Sequence, residues 1–234
     1  MAGLGRALAV VVVSVVCVAS SSADAFAVDL PTTANPLPGS TFQGADGNQV
    51  IPAPPPAGLT DWASLVGRPA LISVADAENP DTQFSGGDKE DEPGNWDIVS
   101  PGPVSPEQAN IQHAWSFIEE AGSPPNVFLY TASLREKAAG TSFLAVELNH
   151  VPGLWNNGHS KIPCRTTGDL QVVFEVHGNT ASATVERWTT ASADAGTGCA
   201  RSGSFAPATN LKANVDLQAA WNASSIANVL PGGG

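Results

Sequence analysis

The sequence predicts a mainly β protein: an antiparallel β-sandwich, jelly-roll-like, with one or two short helices and a proline-rich N-terminal leader. Four runs carry this reading, 126–132 (NVFLYTA), 141–149 (TSFLAVELN), 169–177 (DLQVVFEVH) and 182–189 (SATVERWT), all rich in β-branched and aromatic residues. Turn signals separate them at 137–140, Asn156-Asn157-Gly158, Thr167-Gly168 and Gly178-Asn179. Composition agrees. The 234 residues include 23 Gly and 19 Pro but only 14% charged residues, against about 25% in an average domain. Such a chain favours many turns and few long helices, and antiparallel strands with Gly-rich turns build sandwiches.

The elements follow in chain order. Arg6, an apolar run over 8–19 and Ala23-Asp24-Ala25 have the three-part pattern of a secretory signal peptide, cleaved between Ala25 and Phe26. The run falls short of the ~20 apolar residues that span a bilayer as a helix. Domain organisation is therefore signal peptide 1–25, proline-rich extended leader 26–58 and β-sandwich domain 59–231. Pro54-Pro55-Pro56 predicts polyproline II within the leader. Residues 60–66 (TDWASLV) offer Thr60 or Asp61 as a cap and a Trp62/Leu65/Val66 face, a short helical turn. Residues 111–120 (IQHAWSFIEE) fit a helix with Ile111, Trp115 and Ile118 on one face, and equally a strand with alternating His113, Trp115 and Phe117. Residues 213–229 have mild helical character.

Charge and cysteine content bound the function. The net charge is −12, and it is unchanged on leader removal because Arg6 and Asp24 leave together. Such a balance repels phosphate backbones and anionic lipid surfaces, which disfavours nucleic-acid and membrane-surface roles. Cys17 leaves with the signal, so Cys164 and Cys199 remain as an even pair in an oxidising compartment. A bridge across their 35-residue separation contributes about 3–4 kcal/mol. Zinc is not indicated, because His113, His150, His159 and His177 show no ligand spacing with either cysteine. The expected location is secreted or extracellular, with cell-surface association allowed and no membrane insertion after signal removal.

Chemistry-bearing patterns are sparse. Strand alternation puts Glu147 and Asn149 on one side of 141–149, and Gln171, Glu175 and His177 on one side of 169–177, opposite the aliphatic residues. The default for such residues is the solvated face of a sheet. The sharper alternative is an extracellular carbohydrate-active enzyme with Glu147 and Glu175 flanking one glycosidic bond, beside Tyr130 and Trp188 as sugar platforms. The acidic stretch 75–97 holds Asp76, Glu78, Asp81, Asp88, Glu90, Asp91, Glu92 and Asp97 against Lys89. Asp76, Glu78, Asp81 and Asp88 form a candidate calcium loop, which would make the chain a calcium-stabilised adhesin head. The EF-hand spacing is missing, and a charge run is more often a solvated loop. No other cofactor is expected. There is no G-x-S-x-G elbow and no Gly-rich loop opening a helix. Asn222-Ala223-Ser224 is formally a glycosylation sequon, and Leu230-Pro231-Gly232-Gly233 matches a sortase signal only superficially.

Several segments carry a family resemblance: NPLPGSTFQGADGNQ (35–49), DTQFSGGDKEDEPGNW (81–96), GTSFLAVELNH (140–150), LWNNG (154–158), IPCRTTGDL (162–170) and GCA (198–200). Together they resemble the N-terminal β-rich module of secreted Gram-positive surface proteins that carry prealbumin-like or collagen-adhesin-type repeats. The match spans about 35–231, and GTSFLAVELNH through IPCRTTGD is its most specific block. The resemblance implies a structural cysteine pair and a non-catalytic β-rich head. Such proteins continue past the LPG step into repeats, so a head without its repeats is expected of these 234 residues. The function expected from these features is a secreted, non-catalytic binding or structural module of adhesin type, with an extracellular protein or glycan as ligand.

Overall fold

A computed structural model describes residues 14–15, 36–43, 57–75, 83–85, 90–99, 110–123, 125–135, 142–177, 180–208 and 220–221. Among them the chain is mainly β, as predicted. Two single 3-10 turns, η1 (Trp62–Leu65) and η2 (Pro93–Asn95), are their helical content. The strands are β1 (Ser14–Val15), β2 (Ile72–Ala75), β3 (Gln83–Ser85), β4 (Asp97–Val99), β5 (Ile111–Ala121), β6 (Asn126–Arg135), β7 (Ser142–Leu148), β8 (Leu154–Asn156), β9 (Lys161–Pro163), β10 (Leu170–His177), β11 (Thr180–Ala193), β12 (Ala200–Pro207) and β13 (Ala220–Trp221). The largest sheet runs β12-β11-β10-β7 and the next β2-β5-β6, both antiparallel. β3-β4 and β8-β9 are antiparallel ribbons, and β1-β13 is a two-residue parallel pair.

The three-stranded sheet resolves the ambiguity of 111–120. The segment is strand β5, paired with β2 on one side and β6 on the other. Its alternation decides the matter: His113 and Trp115 are buried, while Ala114 and Ile118 are exposed. A helix would have left the polar edges of β2 and β6 without partners in a region where both face β5.

Trp115, Phe128, Tyr130, Ala132 and Leu134 form the floor of the first core, and Leu37, Phe42, Trp62 and Leu65 close it. Phe42 packs edge-on to Trp62 at 5.1 Å and tilted on Tyr130 at 4.3 Å. Leu37 and Phe42 lie in the stretch predicted as an extended leader, yet they are core residues, at 2% and 1% exposure. Glu119 holds that stretch in place by accepting from Ser40 Oγ (2.6 Å), Thr41 N (3.0 Å) and Thr41 Oγ1 (2.6 Å). Of the two candidate caps, Thr60 and Asp61, the cap is Asp61, whose carboxylate accepts from Trp62 N at 2.6 Å while Ser64 Oγ accepts from Asp61 N. This capping box fixes the turn that inserts Trp62 and Leu65.

The second core surrounds the disulfide. Cys164 and Cys199 are bonded, and Trp96, Trp155 and Ile162 pack against them. Asn157, in the predicted Asn-Asn-Gly turn between β8 and β9, is buried with all its side-chain valences engaged. Its Nδ2 donates to the Pro93 and Trp96 carbonyls at 3.1 and 2.7 Å, and its Oδ1 accepts from His159 N and Ser160 N. The hairpin is thereby tied to η2. Pro54-Pro55-Pro56 lies outside the described residues, as does the predicted helical stretch 213–229 apart from strand β13.

Candidate functional site

Among the described residues, Arg165 is a buried cation with partners on several sides, and the sequence analysis did not single it out. It follows Cys164, and the Ala200 N–H donates to its carbonyl at 2.7 Å, so the disulfide and the start of β12 fix its backbone. Its side chain is 1% exposed. The guanidinium lies over Trp188 at 4.5 Å, Phe205 at 4.7 Å and Trp96 at 4.8 Å. It pairs with Glu147 through Nη2 and through Nε at 3.2 Å, and Nη1 donates to the Glu90 carbonyl. Three rings and a fork-on-carboxylate contact form a desolvated cation cage.

The sheet register explains the gathering. Gln171 lies opposite Glu147 on β7 and Glu186 on β11, so these residues share a face with Trp188 and its partner Phe205. Val172, opposite Val146 and Val185, is on the other face. The predicted alternation therefore holds, but its corollary does not. Gln171 is 4% exposed and Trp188 is fully buried, because residues 90–96 fold over this face. Asp91 accepts from Gly203 N at 2.9 Å. Gly94 lies so close to Arg201 that a Cβ would reach 2.8 Å from the Arg201 carbonyl oxygen. The part of that face around Glu147, Gln171 and Trp188, expected as a sugar surface, is covered, while Phe143 on the same face is 61% exposed.

The two strand glutamates stand at separated register positions. Glu175 pairs with Phe143 and Glu147 with Gln171, which places them four residues apart along β10, about 13 Å of strand. A glycosidase pair needs carboxyl groups about 5–9.5 Å apart, and Glu147 is already turned onto Arg165. The predicted aromatic platform is dispersed as well. Tyr130 is in the other sheet, buried among Phe42 and Phe117. Its burial, with the Glu119 charge beside it, pushes the phenol far above its usual range, against the Ser40 hydrogen bond. Asp76, Glu78, Asp81 and Asp88 of the calcium loop and the Ala25/Phe26 cleavage step lie outside the described residues. Among those described, no group of three or more His, Cys, Asp or Glu converges as metal ligands, and no helix is long and apolar enough to cross a membrane.

Two histidines have defined polar partners. Buried Asp169 accepts from Thr166 N at 2.6 Å, Thr166 Oγ1 at 3.1 Å and His150 N at 2.9 Å, and lies 2.6 Å from His150 Nδ1. It closes the Thr-Thr-Gly turn predicted at 167–168, leaving the imidazole at the surface. His113 Nε2 lies 2.7 Å from Ser73 Oγ, and its ring stacks on Trp115 at 4.5 Å. Burial pushes its pKa down.

The other concave feature of note lies where the two larger sheets meet. It is a groove of about 350 Å³ walled by Ile72, Val74, Ile111 and Ala114 on one side and Leu144 and Val146 on the other, with Ser116, Thr131 and Ser133 in its wall. No protein-family model, curated protein or solved structure matches this chain.

Proposed function

We propose that the chain is a secreted binding or structural module of adhesin type, a β-sandwich whose layers are its two larger sheets, working at the cell exterior. One observation carries the reading. The residues a sugar-cleaving surface would need, Glu147, Trp188 and Tyr130, are all committed to packing: an ion pair with buried Arg165, a ring in the cage and a ring in the first core. A surface that spends its carboxylate and aromatics on internal contacts is built to hold its shape. The disulfide and the leader support an oxidising, exported setting, and the resemblance to the heads of repeat-bearing surface proteins points the same way.

The test presents the mature protein to glycan and extracellular-matrix protein arrays, with reducing-end release from polysaccharides measured in parallel. Retention of a ligand without sugar release is expected. Sugar release that Glu175→Gln abolishes would overturn the reading in favour of the carbohydrate-active alternative.

A further inference from the structure

The strand β6 divides its side chains strictly. Tyr130, Ala132 and Leu134 point into the first core, so Thr131 and Ser133 point to the opposite side. There they face Ser116 and Ala114 across the β5 register, and both line the groove between the two larger sheets. Both residues are more than nine-tenths buried, at 8% and 4% exposure. Neither Thr131 Oγ1 nor Ser133 Oγ makes a hydrogen bond. A buried hydroxyl left unmatched costs free energy on the order of 1–3 kcal/mol, and native proteins rarely place two side by side without a use.

The rest of the wall is aliphatic. Ile72 and Val74 are 57% and 58% exposed, an unusual cost for two large apolar residues two apart on an edge strand. At about 350 Å³ the groove is within the size range of small-molecule sites, which pair a largely apolar lining with a few convergent polar groups. Strand β1, within the stretch 1–25 read as a signal peptide, lies against β6, and the cleavage expected after Ala25 would uncover that strand in the mature protein.

We propose that this groove is a binding site for an uncharged amphiphile: an alkyl chain laid along Ile72, Val74, Leu144 and Val146, with a hydroxyl or ester head hydrogen-bonded to Thr131 and Ser133. An uncharged head follows from the electrostatics. The protein carries a net −12, and among the described lining residues the one charged group is Glu147, whose carboxylate is held by the Arg165 guanidinium, so the lining offers an unpaired charge of neither sign. An alkyl carboxylate would find no cation to pair with there. The proposal deepens the binding-module reading and rests on it in one respect, that the ligand is held and not transformed.

The experiment titrates mature protein with 1-decanol by calorimetry, with decanoate as the charged arm, and records thermal melts without ligand. Saturable one-to-one decanol binding is expected, with decanoate weaker. Thr131→Val with Ser133→Ala should weaken decanol about tenfold, the worth of one neutral hydrogen bond, while raising the ligand-free melting temperature, because unmatched hydroxyls are gone. Ala114→Phe, at an exposed position in the wall, should block the groove without disturbing either core. Absence of saturable binding, binding indifferent to all these changes, or a dimer that decanol fails to dissociate would overturn the proposal. None of these outcomes alters the array and sugar-release results, so the two readings fail separately.

Discussion

Glu147→Gln is the change that most directly tests whether Glu147 is structural. The substitution keeps the side-chain shape and removes the charge that faces Arg165. Breaking a fully buried ion pair by neutralising one partner costs about 3–5 kcal/mol, because the remaining charge is stranded. Here Arg165 is 1% exposed but Glu147 is 22% exposed, so water screens part of the interaction and about 2–3 kcal/mol is the better figure. The guanidinium cannot escape to solvent, since Trp96, Trp188 and Phe205 enclose it. For a chain of this size each kcal/mol shifts the melting temperature by about 2–4 °C, giving a fall of about 4–12 °C.

The assay is thermal and urea unfolding of the mature protein followed by tryptophan fluorescence, which reads Trp96 and Trp188 beside the cage. Arg165→Met and the double variant complete a cycle. The Glu147→Gln/Arg165→Met protein should be more stable than Glu147→Gln alone, since removing both charges leaves none buried without a partner. A melting temperature for Glu147→Gln within about 1 °C of the parent, or strictly additive costs in the cycle, would refute the argument that this pair locks the face of the four-stranded sheet.

Three further outcomes follow from the same structure. Gly203→Ala places a methyl group inside the Trp188 indole and against the Thr189 carbonyl, so it should destabilise by about 1–3 kcal/mol by overpacking, seen as a lowered urea midpoint. Reduction of Cys164–Cys199, confirmed by the mass of the linked peptide, should cost about 3–4 kcal/mol from the 35-residue loop it closes; an unchanged melt would show the second core to be self-sufficient. The His113 pKa is lowered by burial in the fold, so the unfolded chain binds the extra proton first. Stability should fall as pH drops below about 6.5, levelling off beneath the folded pKa, and His113→Gln should flatten that portion of the pH profile relative to the parent.

The sequence made strands legible where β-formers ran unbroken between Gly-rich turns, and β6, β7, β10 and β11 lie where those runs lie. Thr60 and Asp61 were both readable as caps because the turn needs an acceptor near that point, and the cysteines were readable as a pair because the expected loss of Cys17 with the signal peptide leaves two. Residues 111–120 were ambiguous because His113, Trp115 and Phe117 satisfy period two while Ile111, Trp115 and Ile118 satisfy a helical period. Only pairing with β2 and β6, which is non-local, separates them. Leu37 and Phe42 were hidden by proline and polar neighbours. Their burial depends on Glu119, some 80 positions away, accepting from Ser40 and Thr41.

Arg165 was hidden for a related reason. It follows a cysteine in what reads locally as a turn, and its cage assembles from Trp96, Glu147, Trp188 and Phe205 on four separate segments. One local signal did point to it: a strongly cationic residue between the disulfide and a strand, in a chain with only 10 Lys+Arg against 22 Asp+Glu, has many acids available and is well placed to be buried with one.

The treatment of buried polar atoms gives the molecule its logic. Around the second core such atoms are matched with care. Asn157 meets four backbone groups, Asp169 meets both a backbone turn and an imidazole, and Arg165 finds a carboxylate and a carbonyl. Gln43 Oε1, Asp61 Oδ2 and Asn149 Oδ1 also lack a hydrogen-bond partner, each on a separate segment, whereas the bare hydroxyls of Thr131 and Ser133 lie together on one strand face beside exposed Ile72 and Val74. Packing alone would have favoured Val and Ala at those positions, since both are nearly isosteric and need no partner. Two unmatched hydroxyls there cost the empty protein stability, and on the proposal above a polar ligand group would offset that cost.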